Sequence, residues 1–332
     1  MASLPIDALT AGIETRKFVI LGRAGMDMFA HPPGVKSEEA EVFHADLGGS
    51  SANIAAGLCK FDCHAALVTS VSDDAVGRFC INKLKNYGVE TQYVRSVGGE
   101  FRNSLAVYES RIENFQNVIY RNSAADFQVT DADIQAVDFA PFGALVTAGT
   151  VFAAEPSRSA TFTAFDAART LGLPIIFDID YRPYSWPSPE VAADVLSRAG
   201  AASDMIVGND EEFGFMAGDM AKGLQKAQSL ADDGVAIVIY KMGEKGAVTF
   251  SGGKEIHTGI YPVNAVKPNG AGDSFMAGLL SGIAEGLQLR DAVLRGSACA
   301  SIVVSKPGCA PAMPNHAQLA AFLADHPGPT ER

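Results

Sequence analysis

Long apolar runs, paired cysteines and an excess of positive charge are all missing from this chain of 332 residues. No apolar stretch approaches the ~20 residues that span a bilayer, which argues against a membrane helix. The stretch Met1–Arg16 has neither the basic start nor the apolar centre of a secretory leader, so a cytoplasmic protein is expected. The five cysteines, Cys59, Cys63, Cys80, Cys299 and Cys309, are odd in number, and their spacing fits neither a disulfide framework nor a CxxC pair; they read as reduced core thiols. Lys and Arg total 26 against 38 Asp and Glu, a formal charge of −12. That balance disfavours nucleic acid or an anionic membrane as the main partner. Histidines are sparse, and the combination of His31 and His44 with Cys59 and Cys63 is better read as isolated side chains than as a metal site. Repeats and low-complexity tracts are lacking too, and only the tail from His326 to Arg332, Pro and Gly with charged ends, is expected to fray.

What the chain has is apolar residues, 48% of the total, enough to bury the core of one large α/β unit or of two domains. Short β-branched runs, at Phe18–Gly22, Ala66–Ser70, Ala144–Ala148, Ile175–Ile179, Met205–Gly208 and Ala236–Lys241, alternate with stretches of helical periodicity. The helical stretches include Ala52–Lys60, Val76–Tyr87, Ser157–Leu171, Pro189–Ala199 and Glu211–Ala217. Such alternation predicts an α/β domain over 17–325, a doubly wound, mostly parallel sheet with helices on both faces. Two segments, about 35–47 and 92–121, interrupt the pattern. Within the second, Ser104–Ser110 and Gln116–Arg121 read as strands without an intervening helix. They suggest a small β-sheet lid over one end of the core, whose unpaired edges would suit a homodimer.

Chemistry is concentrated in a few places. Lys267-Pro268-Asn269-Gly270-Ala271-Gly272-Asp273 runs into an apolar helix. Glycines at a helix entry let the backbone approach a ligand, and the unpaired amides there favour an anion. Asp273 could then accept a proton from a hydroxyl nucleophile while the amides of Gly270, Ala271 and Gly272 stabilise a transferring phosphoryl group. An ordinary helix cap at Asp273 explains the same letters. Gly48-Gly49-Ser50-Ser51-Ala52-Asn53 opens another helix, and Asn53 has donors and acceptors suited to sugar hydroxyls; a tight turn with a Ser cap is the competing reading. Asp27 falls just past the first strand, where open α/β sheets bind ligands. Asn209 and Glu212, one helical turn apart at the end of another strand, suit Mg²⁺ held through water, and equally suit a capping box. Arg182 follows Asp178 and Asp180 at the same edge and could grip a phosphate or carboxylate. Arg102 and Arg121 raise the same question in the lid segment.

In combination these residues resemble the PfkB family of carbohydrate kinases, with the ribokinase-like fold. The resemblance runs from about Phe18 to Leu323 and rests on Gly48–Asn53, Asn209–Glu212, Gly243–Gly246 and Gly270–Asp273 in that order. It implies an ATP-dependent phosphotransferase in which Asp273 activates the acceptor hydroxyl and Gly270, Ala271 and Gly272 form the anion hole. Asp27, Gly48, Gly49 and Asn53 would bind the sugar. Lys241, Gly243 and Gly246, with Ala298 and Ser301 on a later helix, would line the nucleotide site, and Asn209 and Glu212 would organise Mg²⁺.

Some positions depart from the family pattern. Asp62 and Ser72 stand where its signature has glycine. Lys267-Pro268 replaces an Asp-Thr pair whose Asp belongs to a monovalent-cation site, so dependence on a monovalent cation is doubtful. That Lys-Pro pair, Asp178–Pro183 and Val303–Pro314 resemble a branch of the family that phosphorylates the 6-hydroxyl of a keto sugar acid in inositol catabolism. Arg23, Arg102, Arg121 and Arg182 are available to clamp the carboxylate of such a small-molecule substrate. Other members, acting on 2-dehydro-3-deoxygluconate or fructose, are the alternative, and a non-catalytic sugar or nucleotide sensor is the alternative of a different class. A dinucleotide oxidoreductase is disfavoured, because Gly22–Asp27 lacks the GxGxxG turn.

Overall fold

The computed structural model describes residues 3–326 and 328–330. Among the described residues thirteen strands build two sheets. In chain order they are β1 (Lys17–Leu21), β2 (Gly25–His31), β3 (Val42–Gly48), β4 (His64–Ser72), β5 (Val94–Val97), β6 (Leu105–Tyr108) and β7 (Asn117–Tyr120). Then follow β8 (Ala144–Ala148), β9 (Ile175–Asp178), β10 (Met205–Asn209), β11 (Ile237–Lys241), β12 (Ala247–Ser251) and β13 (Lys254–Thr258). The large sheet runs β13-β12-β11-β10-β9-β8-β1-β4-β5. It is parallel from β11 through to β5, with β12 and β13 added as an antiparallel hairpin.

The central strands are apolar on both sides because helices cover both faces. Along β1 the side chains alternate between two cores: Phe18 and Ile20 pack on one face, Val19 and Leu21 on the other. Helices Ser50–Cys59, Ala271–Ala284 and Leu289–Val304 cover the first face, where Ile54, Leu279 and Val293 are buried. Helices Ser157–Thr170, Pro189–Ala201 and Gly223–Asp232 cover the second through Phe165, Leu196 and Leu230. This is the expected doubly wound sheet.

The small sheet has the order β3-β2-β6-β7, with β2 parallel to β6 and the other pairs antiparallel. It differs in makeup from the expected lid. Gly25–His31, outside every strand and lid segment expected from the sequence, is a strand paired along its whole length with β3. Val94–Val97 pairs with β4 and so belongs to the core sheet. Residues 35–41 hold only a short 3-10 turn at Ser37–Glu39, so the strand begins at Val42.

At the carboxyl end, His326 stacks on Phe322 with ring centroids 3.8 Å apart. The Thr330 amide donates to Ile260 O at 2.8 Å. Ile260 N donates in return to Thr330 Oγ1 at 3.0 Å. Pro327, Glu331 and Arg332, the rest of the tail expected to fray, lie outside the described residues. No described helix is long and apolar enough to cross a membrane.

Candidate active site

The helix Ala271–Ala284 starts from Gly270, whose φ of +82° is a left-handed conformation open to glycine at little cost. Gly270 is the cap residue and receives no side-chain cap bond, so Asp273 is not the helix cap. Its carboxylate instead accepts a 2.8 Å hydrogen bond from Asn53 Nδ2. Burial and the negative charge of Asp180 push the Asp273 pKa up to about 6, against the pull of Asn53, Arg182 and Arg23. The first amides of the helix have no intrahelical acceptor and the helix dipole adds to their attraction for an anion. Lys241 lies at the same mouth: its ammonium is 5.2 Å from the Phe275 ring centroid and 3.7 Å from where a Cβ on Gly272 would be.

Across the cleft, Asp27 projects from β2. A Cβ at Gly48 would fall 1.9 Å from Asp27 Oδ1, and one at Gly49 2.3 Å from Arg23 O, so paired glycines are what let the β3-to-helix turn pass so close. Gly49 also has φ +97°, and the helix Ser50–Cys59 that follows receives no side-chain cap, which sets aside the Ser-cap reading. Asp27 Oδ1 has no protein partner. Burial pushes its pKa up to about 7, only partly countered by Arg23. Arg23 is itself buried, donates from Nη1 to Ser104 Oγ at 3.2 Å and keeps Nε unpartnered. Arg182 pairs with Asp180 at 2.6 Å on the same wall.

These groups line one cleft of about 710 Å³, which runs from Arg23, Asp27 and Asn53 past Gly270–Asp273 to Lys241, Gly243 and Gly246. Asn209 and Glu212 border it as well. They form a complete capping box: Asn209 Oδ1 accepts from Glu212 N at 2.9 Å and Glu212 Oε2 accepts from Asn209 N at 2.7 Å. The cap and a role at the cleft therefore coexist. Burial raises the Glu212 carboxyl above its ordinary range, with Lys241 and Arg182 opposing, and raises neighbouring Asp178 in the same way. Among the described residues no three His, Cys, Asp or Glu side chains are grouped to ligate a metal directly.

Four expected site residues are placed elsewhere, and Gly48 backs Asp27 without itself lining the cleft. Arg102 is exposed, folds back onto the carbonyls of Gly99 and Phe101 and lies 3.9 Å from Asp74, outside the cleft. Arg121 is buried in an ion pair with Asp126 and lies 4.0 Å over the Phe127 ring, facing a second cavity of about 480 Å³. Its charge is spent inside the protein. Ala298 is fully buried, and Ser301 gives its hydroxyl to Tyr261 O at 2.7 Å. The same helix presents Ser297 and Ala300 to the cleft instead. The resemblance found the helix but not its rotation, and the apolar stripe Ala298, Ile302 was the available signal for the buried face.

An open parallel sheet, a carboxylate at the mouth of a helix and a cleft with hydroxyl-binding groups at one end and glycine turns at the other define a small-molecule phosphotransferase. The model of the pfkB family of carbohydrate kinases matches residues 15–316, and the chain belongs to that family. It is therefore a carbohydrate kinase. The chain is similar to 5-dehydro-2-deoxygluconokinase from Geobacillus kaustophilus (strain HTA426), 35% identical over 331 residues covering 98% of each chain. To the enzyme of the same name from Geobacillus thermodenitrificans (strain NG80-2) it is 35% identical, over 92% of each chain. Among solved structures it is similar to a fructokinase double mutant from Vibrio cholerae O395 in its fructose-, ADP- and potassium-ion-bound form. There the TM-score is 0.82 at 25% identity, covering 93% of this chain and 98% of that one.

Proposed function

We propose that this kinase transfers the terminal phosphoryl group of ATP to the 6-hydroxyl of 5-dehydro-2-deoxy-D-gluconate, a step of inositol catabolism in the cytoplasm. The observation that carries the reading is the pair Asn53 and Asp273 at the anion-binding helix start, facing buried Arg23 and Asp27. The relatives of that name, alike over nearly the whole chain, support the choice of sugar.

In this reading Asp27, Asn53 and the backbone at Gly48 and Gly49 hold the sugar hydroxyls. Arg23 and Arg182 meet the carboxylate, since the acidic protein needs local cations to admit an anion. Asp273 accepts the hydroxyl proton as the oxygen–phosphorus bond forms and ADP leaves with the bridging oxygen. The amides at Gly270, Ala271 and Gly272 and the ammonium of Lys241 receive the charge spread over the transferring group. A pKa of about 6 suits that base, because it is ionised at neutral pH yet basic enough to take a proton in the transition state.

Gly243, Gly246, Ser297 and Ala300 would flank the nucleotide. Magnesium fits the site through water: the donors are hard oxygens, but Asn209 Oδ1 and Glu212 Oε2 are each already engaged in the cap. When bound, the ion would neutralise phosphate charge. With Lys267 where a carboxylate would be needed, monovalent cations are not required. Exposed Val118 and Tyr120 on the edge strand β7 suit pairing of two copies through the lid, which light scattering would show as twice the monomer mass.

A coupled ADP-release assay over a panel of sugars tests the reading. Turnover is expected with 5-dehydro-2-deoxygluconate. Turnover with 2-dehydro-3-deoxygluconate or fructose in its place would overturn the substrate while leaving the kinase class intact.

A further inference from the structure

Lys267 is fully buried, the one basic side chain with no exposure at all among the described residues. Its ammonium meets not a carboxylate but the carbonyl of Asn269, two residues on. Burying an ammonium against a neutral acceptor is costly, and an apolar side chain of similar volume would serve stability better. The cost is met at a particular place. Asn269 O belongs to the peptide that leads into Gly270, the residue from which the anion-binding helix starts.

That peptide is trans, and in a trans peptide the carbonyl and the amide point in opposite directions. An ammonium that holds Asn269 O therefore fixes the Gly270 N–H on the opposite side of the same peptide, at a place where Asn269, Gly270 and Asp273 all line the cleft. Pro268 lies between donor and acceptor and fixes its own φ, so the small ring closed by the bond has few alternatives. On the other side the segment is anchored by Val266 N and Lys267 N, which donate to Val304 O at 2.8 and 3.3 Å.

We infer that Lys267 is a positioning residue for phosphoryl transfer: its buried ammonium locks the Asn269–Gly270 peptide so that the helix-start amides are aimed at the transferring group. The inference rests on the anion-hole role of Gly270–Gly272 and not on the choice of sugar.

The test uses the full chain and two substitutions, Lys267→Met, which removes bond and charge, and Lys267→Gln, which keeps a donor. The probe is MgADP with and without tetrafluoroaluminate, a mimic of the planar transferring phosphoryl group, titrated calorimetrically beside steady-state kinetics. Lys267→Met is expected to bind MgADP like the wild type but to lose at least about tenfold of the tightening caused by tetrafluoroaluminate. Its kcat should fall about 10²-fold, the usual cost of a misplaced catalytic group, with KM for the sugar little changed. Lys267→Gln should recover part of both losses. Full tightening and full kcat in folded Lys267→Met would overturn the role, as would a Gln variant no better than Met. Where Met does not fold, the Gln variant decides: a partial loss of the tightening supports the bond, and tightening equal to that of the wild type, or none at all, overturns it. Wild-type protein that shows no tightening at all would overturn the anion-hole reading itself and Lys267 with it.

Discussion

Asn53 Nδ2 donates to Asp273 Oδ2 at 2.8 Å, joining positions 220 residues apart in sequence. The bond stabilises the ionised carboxylate and so holds down a pKa that burial and Asp180 drive up. For Asn53→Ala the sign follows: the acid limb of kcat/KM, expected near pH 6 in the wild type, moves to higher pH. Rates measured across that range check it. A limb that does not move would mean that another group titrates.

Asp273→Asn keeps the shape of the site and removes the base. We expect kcat to fall by about 10²–10⁴-fold, the contribution of a general base, with MgATP binding within a few-fold of wild type. Isothermal titration beside single-turnover kinetics separates the two. Equal loss of affinity and rate would assign the carboxylate to binding.

Asp27 and Asp273, with pKa values pushed to about 7 and about 6, bind protons in the folded protein at pH values where the unfolded chain has released them. The native state thus holds more protons between about pH 4 and about pH 7, and stability contributed by these groups is lost as pH rises through that window. Asp27→Asn should leave the melting temperature near pH 4 unchanged and raise it above pH 7 by about 3 °C or more. Thermal scans of the ligand-free protein at the two pH values give the answer, and parallel curves would contradict it.

Arg23 enters the cleft with Nε unpartnered. Loss of one charge-assisted hydrogen bond, about 1.5–3 kcal/mol, predicts a 10- to 100-fold rise in KM of Arg23→Gln for the sugar acid. A neutral sugar turned over by the wild type should show a much smaller change. Equal losses on both would point to collapse of the pocket, not to a carboxylate contact.

Gly48→Ala brings a methyl group to 1.9 Å from Asp27 Oδ1, so the carboxylate must move. We expect about 1–3 kcal/mol of destabilisation, as for other overpacked sites, and a raised KM for the sugar. Chemical denaturation and kinetics on the same sample check both. A stable variant with unchanged KM would show that Asp27 does not hold the substrate.

The core sheet was legible in the sequence because strands buried on both faces are unbroken apolar runs, as in Ile237–Tyr240, separated by helices of ordinary length. The lid was legible only in part. Met26, Met28 and Phe29 in β2 give no clean alternation, and Asp27 interrupts them, so this strand left no signal in the sequence. The resemblance carries no helix rotation, which is why it pointed to Ser301 where Ser297 and Ala300 face the cleft. Arg121 could not be told from a ligand-binding arginine, because its partner Asp126 is an ordinary acidic residue until the fold folds it under the lid. Asp62, where the resemblance led one to expect glycine, has a left-handed φ of +56°, a conformation that glycine adopts at least cost and Asp tolerates better than most residues.

The link from β1 to β2 is three residues long, Gly22 to Ala24, and contains Arg23, while Asp27 rides on β2 itself. The small sheet is therefore no shutter over a finished pocket. On the proposed reading it carries Asp27, one of the groups that hold the acceptor, and a swing of that sheet away from the core would take Asp27 out of reach of Asp273. Substrate capture and enclosure would then be one event, and a molecule held open would have neither an acceptor to phosphorylate nor a walled site in which water could take its place.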